Sequence, residues 1–278
     1  MRHRSWLFVP GDSARKMARA AESGADALIY DLEDSVAPGA KDDARAVTFE
    51  ALRAGANAAR WVRVNALGTG RAEEDVVRTI GAAPDGYVLP KCEGRADIDA
   101  LAGIIAGAGG RQPILVIATE TVRAVRSLAV SDWAHPALFG MAWGAEDLAA
   151  DLGAMANRGA DGAYLRPFLG ARDTMLFAAK AAGAWSIDGV FTDFSDPDGL
   201  RAEADAAAEM GFDGKLAIHP AQVAAINAAF SPSDAQLAWA QRVIAAMAEA
   251  GDGVAQLDGK MLDQPHLKTA RAILARAE

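Results

Sequence analysis

With 278 residues, the chain is long enough for one large α/β barrel or two modest domains, and length alone does not choose between them. A formal net charge of −9 argues against nucleic acid as a bulk partner, while leaving room for a small anionic substrate met by local cations. A single cysteine, Cys92, excludes an internal disulfide and a metal-binding cysteine pair, and reads as a small apolar filler. No signal segment is evident after Met1, and no apolar run approaches the ~20 residues of a membrane-spanning helix, so a soluble cytoplasmic protein is expected.

Short apolar runs rich in β-branched and aromatic residues alternate with Ala-rich segments. The predicted strands are Ser5–Pro10, Ala27–Glu33, Arg60–Asn65, Gly86–Lys91, Ile114–Thr119, Leu138–Met141, Ile187–Thr192 and Lys215–His219. Helical stretches include Ser13–Ser23, Lys41–Ala54, Glu73–Ile80, Ile98–Ala106, Tyr164–Ala182 and Leu200–Met210. Strand-then-helix repetition predicts a parallel sheet, and eight such units predict an α/β fold closed as a (β/α)8 barrel of the TIM type. The alternative is an open doubly wound sheet, but no Gly-x-Gly-x-x-Gly turn follows the first strand. Two further helices, near Ala221–Ala229 and Asp234–Ala250, precede breaks at Gly251-Asp252-Gly253 and Asp258-Gly259 and a last helix from Gln264 to Ala277. Residues 1–250 are therefore read as the catalytic barrel, and 251–278 as a C-terminal lid or a closing helix.

Active sites in such barrels lie at the C-terminal strand ends. Those ends carry Asp31-Leu32-Glu33-Asp34, Arg63 with Asn65, Pro90-Lys91, Glu120, Glu146-Asp147, Asp193 and His219. Glu120 and Asp147 follow adjacent strands, so their carboxylates can converge on a hard cation such as magnesium, which needs only one or two protein carboxylates. The four histidines show no zinc-like spacing. The competing structural reading makes Asp147 a helix cap and Glu120 a partner of Arg123 or Arg63. Arg63 has the fork geometry to bind a carboxylate or enolate oxygen, with a buried ion pair as its alternative.

Taken together, Leu7-Phe8-Val9-Pro10-Gly11, Asp31-Leu32-Glu33-Asp34-Ser35-Val36-Ala37-Pro38, Val62-Arg63-Val64-Asn65, Pro90-Lys91, Glu120-Thr121, Gly144-Ala145-Glu146-Asp147-Leu148, Lys215-Leu216-Ala217-Ile218-His219-Pro220 and Gly259-Lys260-Met261-Leu262-Asp263 make the chain resemble the citrate lyase β-subunit-like family, within the group that includes malyl-CoA lyases. The resemblance implies a magnesium-dependent (or manganese-dependent) TIM barrel acting on a 3-hydroxyacyl thioester of coenzyme A, usually as a homotrimer. It makes Glu120 and Asp147 the metal ligands and Arg63 the substrate-binding arginine. It makes Asp263 an acid or base that the C-terminal segment presents to the neighbouring subunit's site. Asp31, Glu33 and Asp34 are expected to orient metal-bound water or fix Arg63, and Lys41 and Arg45 to face the coenzyme A phosphates, with a solvated helix face as the alternative for that pair.

The leading functional reading is a carbon–carbon lyase acting on malyl-, citramalyl- or citryl-CoA. The alternatives are a thioesterase on the same substrates, a β subunit of a multi-subunit citrate lyase, and a metal-dependent pyruvate aldolase, which would share the metal pair but not need Asp263.

Overall fold

The computed structural model describes residues 3–251 and 253–277. Met1 and Arg2 of the N-terminal segment, Asp252 of the Gly-Asp-Gly break, and Glu278 lie outside the described residues.

Strands and helices alternate as β1 (Ser5–Pro10), α1 (Ala14–Ala21), β2 (Ala27–Asp31), α2 (Lys41–Ala54), β3 (Ala59–Arg63), α3 (Ala72–Thr79), β4 (Gly86–Leu89), α4 (Arg95–Gly107), β5 (Ile114–Ile117), α5 (Val122–Val130), β6 (Leu138–Ala142), α6 (Glu146–Leu152), α7 (Arg166–Ala181), β7 (Trp185–Asp188), α8 (Pro197–Met210) and β8 (Gly214–Ala217). Each strand pairs in parallel with the next, and β8 pairs with β1. The sheet thus closes as the eight-stranded TIM barrel that the periodicity predicts.

The barrel is filled by alternation. Trp6, Ala27, Ile29, Ala59, Trp61, Val88, Leu115, Ile117, Ala142, Ile187 and Leu216 form one inner cluster. Large and small residues interlock in it: a side chain at Gly86 would meet the Trp61 ring at 2.1 Å. The two-residue period that turns Ala27 and Ile29, or Ala59 and Trp61, inward carries on to Asp31 and Arg63. The innermost layer at the C-terminal mouth is therefore charged.

Most strands end about two residues before their predicted ends because the polar exit residues are drawn into turns. In β2, the Asp31 carboxylate accepts the N–H of Glu33 at 2.8 Å and of Ser35 at 3.2 Å, which bends the chain away from the sheet. β7 departs furthest from expectation. It spans Trp185–Asp188 rather than Ile187–Thr192, since Gly189 gives room to Trp143 and the Phe191 carbonyl accepts the Gln222 side chain instead of a strand partner.

Two compact units make up the chain, residues 1–227 and 228–278. A helix α9 (Val223–Ala229) runs across that division and is followed by α10 (Asp234–Ala250), β9 (Ala255–Leu257), β10 (Lys260–Leu262) and α11 (Gln264–Ala275). The second unit takes in α10 because Ala240, Val243 and Met247 bury themselves against Leu262 and Ala270. Asp258-Gly259, expected only as a helix break, is the two-residue loop of a β9–β10 hairpin. Both residues have positive φ, 50° and 77°, as a type I′ turn requires. Among the described residues, no helix is long and apolar enough to cross a membrane.

Candidate active site

Parallel register sets Asp31 and Arg63 side by side on β2 and β3. Arg63 donates Nε–H to Asp31 Oδ1 and Nη2–H to Asp31 Oδ2, each at 2.7 Å, and Nη1 lies 3.0 Å from Glu33 Oε2. The Phe8 ring packs against the guanidinium, 4.7 Å from its centroid. Burial alone would raise the Asp31 pKa, but the Arg63 charge and hydrogen bonds outweigh it and hold the carboxylate below its usual range. The same pairing raises Arg63 against its own burial. A guanidinium carries five N–H groups and the hydrogen bonds to Asp31 use two, Glu33 adding an ion pair, so Arg63 keeps donors for a further oxygen. The ion pair weighed as the alternative is thus present, and the N–H groups beyond it are the ones left for a substrate oxygen.

Lys91, at the exit of β4, organises the second half of the mouth. Its main chain sits at φ 52°, aiming its N–H at Glu120 Oε2, 2.5 Å away. Its ammonium lies 2.5 Å from Glu33 Oε1 and 3.4 Å from both Asp34 Oδ2 and Asp147 Oδ1. Across the mouth, Thr119 Oγ1 accepts the Gly144 N–H at 3.0 Å and fastens the loops that carry Glu120 and Asp147. A Cβ at Gly144 would fall 3.2 Å from Glu120 Cγ, so glycine lets that loop lie close against the glutamate without displacing it.

Glu120 is buried, and its pKa is pushed up to about 8, first by burial and then by the charges of Asp147 and Glu33. This is a buried acid short of positive charge. Asp147 caps no helix: it stands in the first turn of α6, whose N-cap is Ala145. Arg123 pairs with Glu93, not Glu120. Among the described residues, no three His, Cys, Asp or Glu side chains gather as a ready metal cage. An oxygen-only pair that includes an under-compensated buried acid nevertheless fits a hard cation that completes its shell with water and substrate.

Two expected phosphate ligands have other work. Lys41 is buried and donates Nζ–H to the carbonyls of Leu32 and Glu33 at 2.7 and 2.6 Å, stapling the acidic loop. Arg45 is buried against Asp75 at 2.7 Å, with Asp42 and Glu74 beside it. Neither faces a free anion site; the reason is that α2 turns both inward, against β2 and α3, rather than along the mouth. Asn65 likewise turns to Asp75, donating at 2.7 Å. His219 Nδ1 accepts the Ala221 N–H at 3.2 Å and fixes its loop. Asp193 closes a local turn onto Ser195. Cys92 is buried, its thiol pushed up to about 12 chiefly by that burial, so it acts as filler.

Cationic residues gather elsewhere at the mouth. A groove of about 310 Å³ runs between β1, α1 and the β8 exit, lined by Phe8, Arg15, Lys16, Arg19 and His219. Sequence reading missed it, although Arg15-Lys16 and Arg19 share one face of α1 by their three- to four-residue spacing. Also missed was a buried network below Trp143. Asp188 accepts from Trp143 Nε1 at 2.7 Å, Arg172 Nε at 2.8 Å and Lys215 Nζ at 2.6 Å, and Lys215 reaches Glu203 at 2.9 Å. Asp188 lies inside a predicted strand, and Lys215 enters the sequence reading only as a strand residue and the first residue of a family-like motif.

Within the second unit, Asp263 is the N-cap of α11, directly after the buried Leu262. Its carboxylate meets His266 Nδ1 at 2.5 Å.

Residues 4–220 match the family described as HpcH/HpaI aldolase/citrate lyase, and residues 174–278 match the C-C bond lyase of the TIM-barrel fold. A (3S)-malyl-CoA thioesterase of Cereibacter sphaeroides is 40% identical over 281 residues, covering 99% of this chain and 94% of that protein. A citrate lyase subunit beta-like protein of Mycobacterium tuberculosis is 41% identical over 277 residues, covering 98% and 94%. The crystal structure of CitE from M. tuberculosis in complex with magnesium, acetoacetate and coenzyme A superposes with a TM-score of 0.83 at 39% identity, covering 99% of this chain and 98% of that one. A family match across most of the barrel, with whole-length relatives at this identity, makes the chain a member of the HpcH/HpaI aldolase/citrate lyase family.

Proposed function

We propose that the protein is a magnesium-dependent carbon–carbon lyase that cleaves a 3-hydroxyacyl-CoA thioester, of the malyl-, citramalyl- or citryl-CoA type, to acetyl-CoA and a keto acid. The observation that carries this reading is the mouth itself: an anchored arginine with N–H donors to spare beside an oxygen-donor pair whose buried member, Glu120, is short of positive charge. The ligands in the M. tuberculosis CitE complex support it, being magnesium, a keto acid and coenzyme A.

Glu120 and Asp147 would hold the ion, which when bound supplies Lewis acidity toward the substrate's hydroxyl or keto oxygen. Arg63, immobilised on Asp31 and Glu33, donates to an oxygen on which negative charge develops, and needs no reorganisation to do so. As the substrate's hydroxyl gives its proton to solvent and becomes the keto oxygen, the bond between its carbon and the neighbouring one breaks, and the acyl fragment is left as a thioester enolate. Asp263 then protonates the enolate carbon, or in the reverse direction takes a proton from the acetyl methyl group. The groove lined by Arg15, Lys16 and Arg19 suits the phosphates of the cofactor portion, and replaces Lys41 and Arg45 in that role.

A homotrimer in which one subunit's Asp263 serves its neighbour follows from the family resemblance. Mixing inactive E120Q and D263N chains tests it: recovered activity marks exchange between subunits, and none marks service in cis.

The lyase reading is tested by following keto acid and free thiol separately on malyl-, citramalyl- and citryl-CoA, with and without chelator. Keto acid without thiol, abolished by chelation, is expected. The second reading, hydrolysis of the thioester, is favoured by the (3S)-malyl-CoA thioesterase relative at 40% identity, and release of free thiol would establish it.

A further inference from the structure

Asp263 does not stand alone. Its Oδ1 lies 2.5 Å from His266 Nδ1, while its own backbone N–H lies 3.3 Å from the same ring nitrogen. One ring nitrogen cannot both donate to the carboxylate and accept from the amide. The shorter, charge-assisted contact decides: Nδ1–H donates to Oδ1, which leaves Nε2 as the ring's unprotonated nitrogen in the neutral tautomer. Sequence places this pair by design of the helix start. Asp263 is the N-cap and His266 is the third helical residue, one turn up the same face. Pro265, between them, removes one of the two amide donors an N-cap carboxylate normally takes. The imidazole fills that vacancy.

The pair rests on a firm base. Leu262, one residue before Asp263, and Ala270, one turn past His266, are both buried in the core of the second unit. Both polar side chains remain partly open, 39% for Asp263 and 43% for His266, and no other described residue hydrogen-bonds the Asp263 carboxylate. Every hydrogen bond to that carboxylate thus comes from His266, its main chain included, and of the carboxylate's four lone-pair sites Oδ2 keeps one to take a proton.

We propose that His266 is a positioning residue for Asp263: by binding Oδ1 it fixes the carboxyl rotamer and leaves Oδ2 to exchange the proton. In the cleavage direction the Oδ2–H bond breaks as the enolate carbon gains its C–H bond, and the resulting carboxylate stays bound to Nδ1–H until solvent reprotonates it. In the condensation direction the carboxylate removes the methyl proton. This inference rests on the role given to Asp263 in the proposed reaction.

The experiment uses the full-length chain and the variants H266N, H266Q, H266A and D263N. The Asn amide nitrogen reproduces the position of Nδ1, and the Gln nitrogen that of Nε2. H266A and H266Q are expected to lose roughly 10- to 100-fold in kcat with KM little changed, the scale of a misplaced catalytic group. H266N is expected to restore much of that loss, and all four to melt with the wild type. Wash-in of deuterium at the acetyl-CoA methyl follows the proton transfer directly, without C–C cleavage. Full kcat in H266A and H266Q with D263N inactive would overturn the inference while leaving the proposed function standing. Full activity in D263N would overturn the role of Asp263, and the inference with it. Independently of turnover, 15N spectra of His-labelled protein should show His266 as the Nδ1–H tautomer, altered by D263N; an Nε2–H tautomer indifferent to D263N would also overturn the pairing.

Discussion

The backbone N–H of Lys91 points at Glu120 across neighbouring strand ends, while the same residue's ammonium reaches toward Asp147. One residue in left-handed conformation thus addresses both expected metal ligands, one through the main chain and one through the side chain. Glu120 still lacks enough positive charge, and a pH dependence follows. With its pKa near 8 in the folded state and near the ordinary glutamate value unfolded, the folded chain binds more protons between those limits. Stability of the chelator-treated protein is therefore greatest below about pH 4.5, as far as Glu120 is concerned, and falls as pH rises through 8, by roughly 2–4 kcal/mol. Urea melts from pH 5 to 9 check this. E120Q should flatten the trend, and an unchanged slope would refute the assignment.

Arg63 separates charge from geometry. R63K keeps a cation but cannot grip Asp31 at two points while presenting further donors, so kcat should drop roughly 10²- to 10³-fold. R63A should in addition destabilise by roughly 3–5 kcal/mol, because Asp31 is left buried without its partner. Adding D31N to R63A should recover stability but not turnover. Kinetics and denaturant midpoints on the three variants decide the matter, and R63K with wild-type kcat would remove Arg63 from the chemistry.

Much of this was legible in the sequence, for a physical reason. Strands buried on both faces are continuous apolar runs, and the polar residues gathered at the end of each run mark the mouth; Asp31, Arg63, Glu120 and Asp147 all stand in such clusters. Where a side chain turns after leaving the backbone was not legible. Lys41 and Arg45 are one helical turn apart whether they face phosphate or a buried partner, and only the packing of α2 on β2 and α3 distinguishes the two. The hairpin at Asp258-Gly259 did have a signal, the Asp-Gly pair between short apolar segments. It was obscured by the expectation of a helix break. It also changes how the tail should be tested: deleting everything after Gly251 would strip Leu262 and Ala270 from Val243 and Met247, so loss of activity would not isolate Asp263. Single substitutions do.

The cationic groove makes a separate prediction. R15Q, K16Q and R19Q should each raise KM for the CoA thioester by roughly tenfold or less, the scale of one charge-assisted hydrogen bond at a partly solvated site, with kcat nearly unchanged. The effect should shrink in high salt. K41M should behave differently, lowering kcat and stability together, because it releases the loop that carries Glu33. Steady-state kinetics at two ionic strengths distinguish the sets, and a KM effect confined to K41M would return the phosphate site to α2.

The network under Trp143 gives the last prediction. Asp188 is fully buried; burial alone would raise its pKa, but Lys215 and then Arg172 hold it below the ordinary range. Its contribution to stability is present above the unfolded aspartate pKa and is lost as pH falls below it. D188N keeps the shape but leaves Lys215 and Arg172 without their shared counter-charge, and should destabilise the barrel by roughly 3–5 kcal/mol. Asp188 also fixes the indole of Trp143, four residues before Asp147, so the variant should alter tryptophan fluorescence of the native state and weaken magnesium binding measured by calorimetry. An exposed pair, Arg242 with Asp258, supplies the control, since solvent already compensates both charges. Should D188N and D258N melt alike, the buried network would be ornamental to the fold, and Trp143 would owe its place to packing alone.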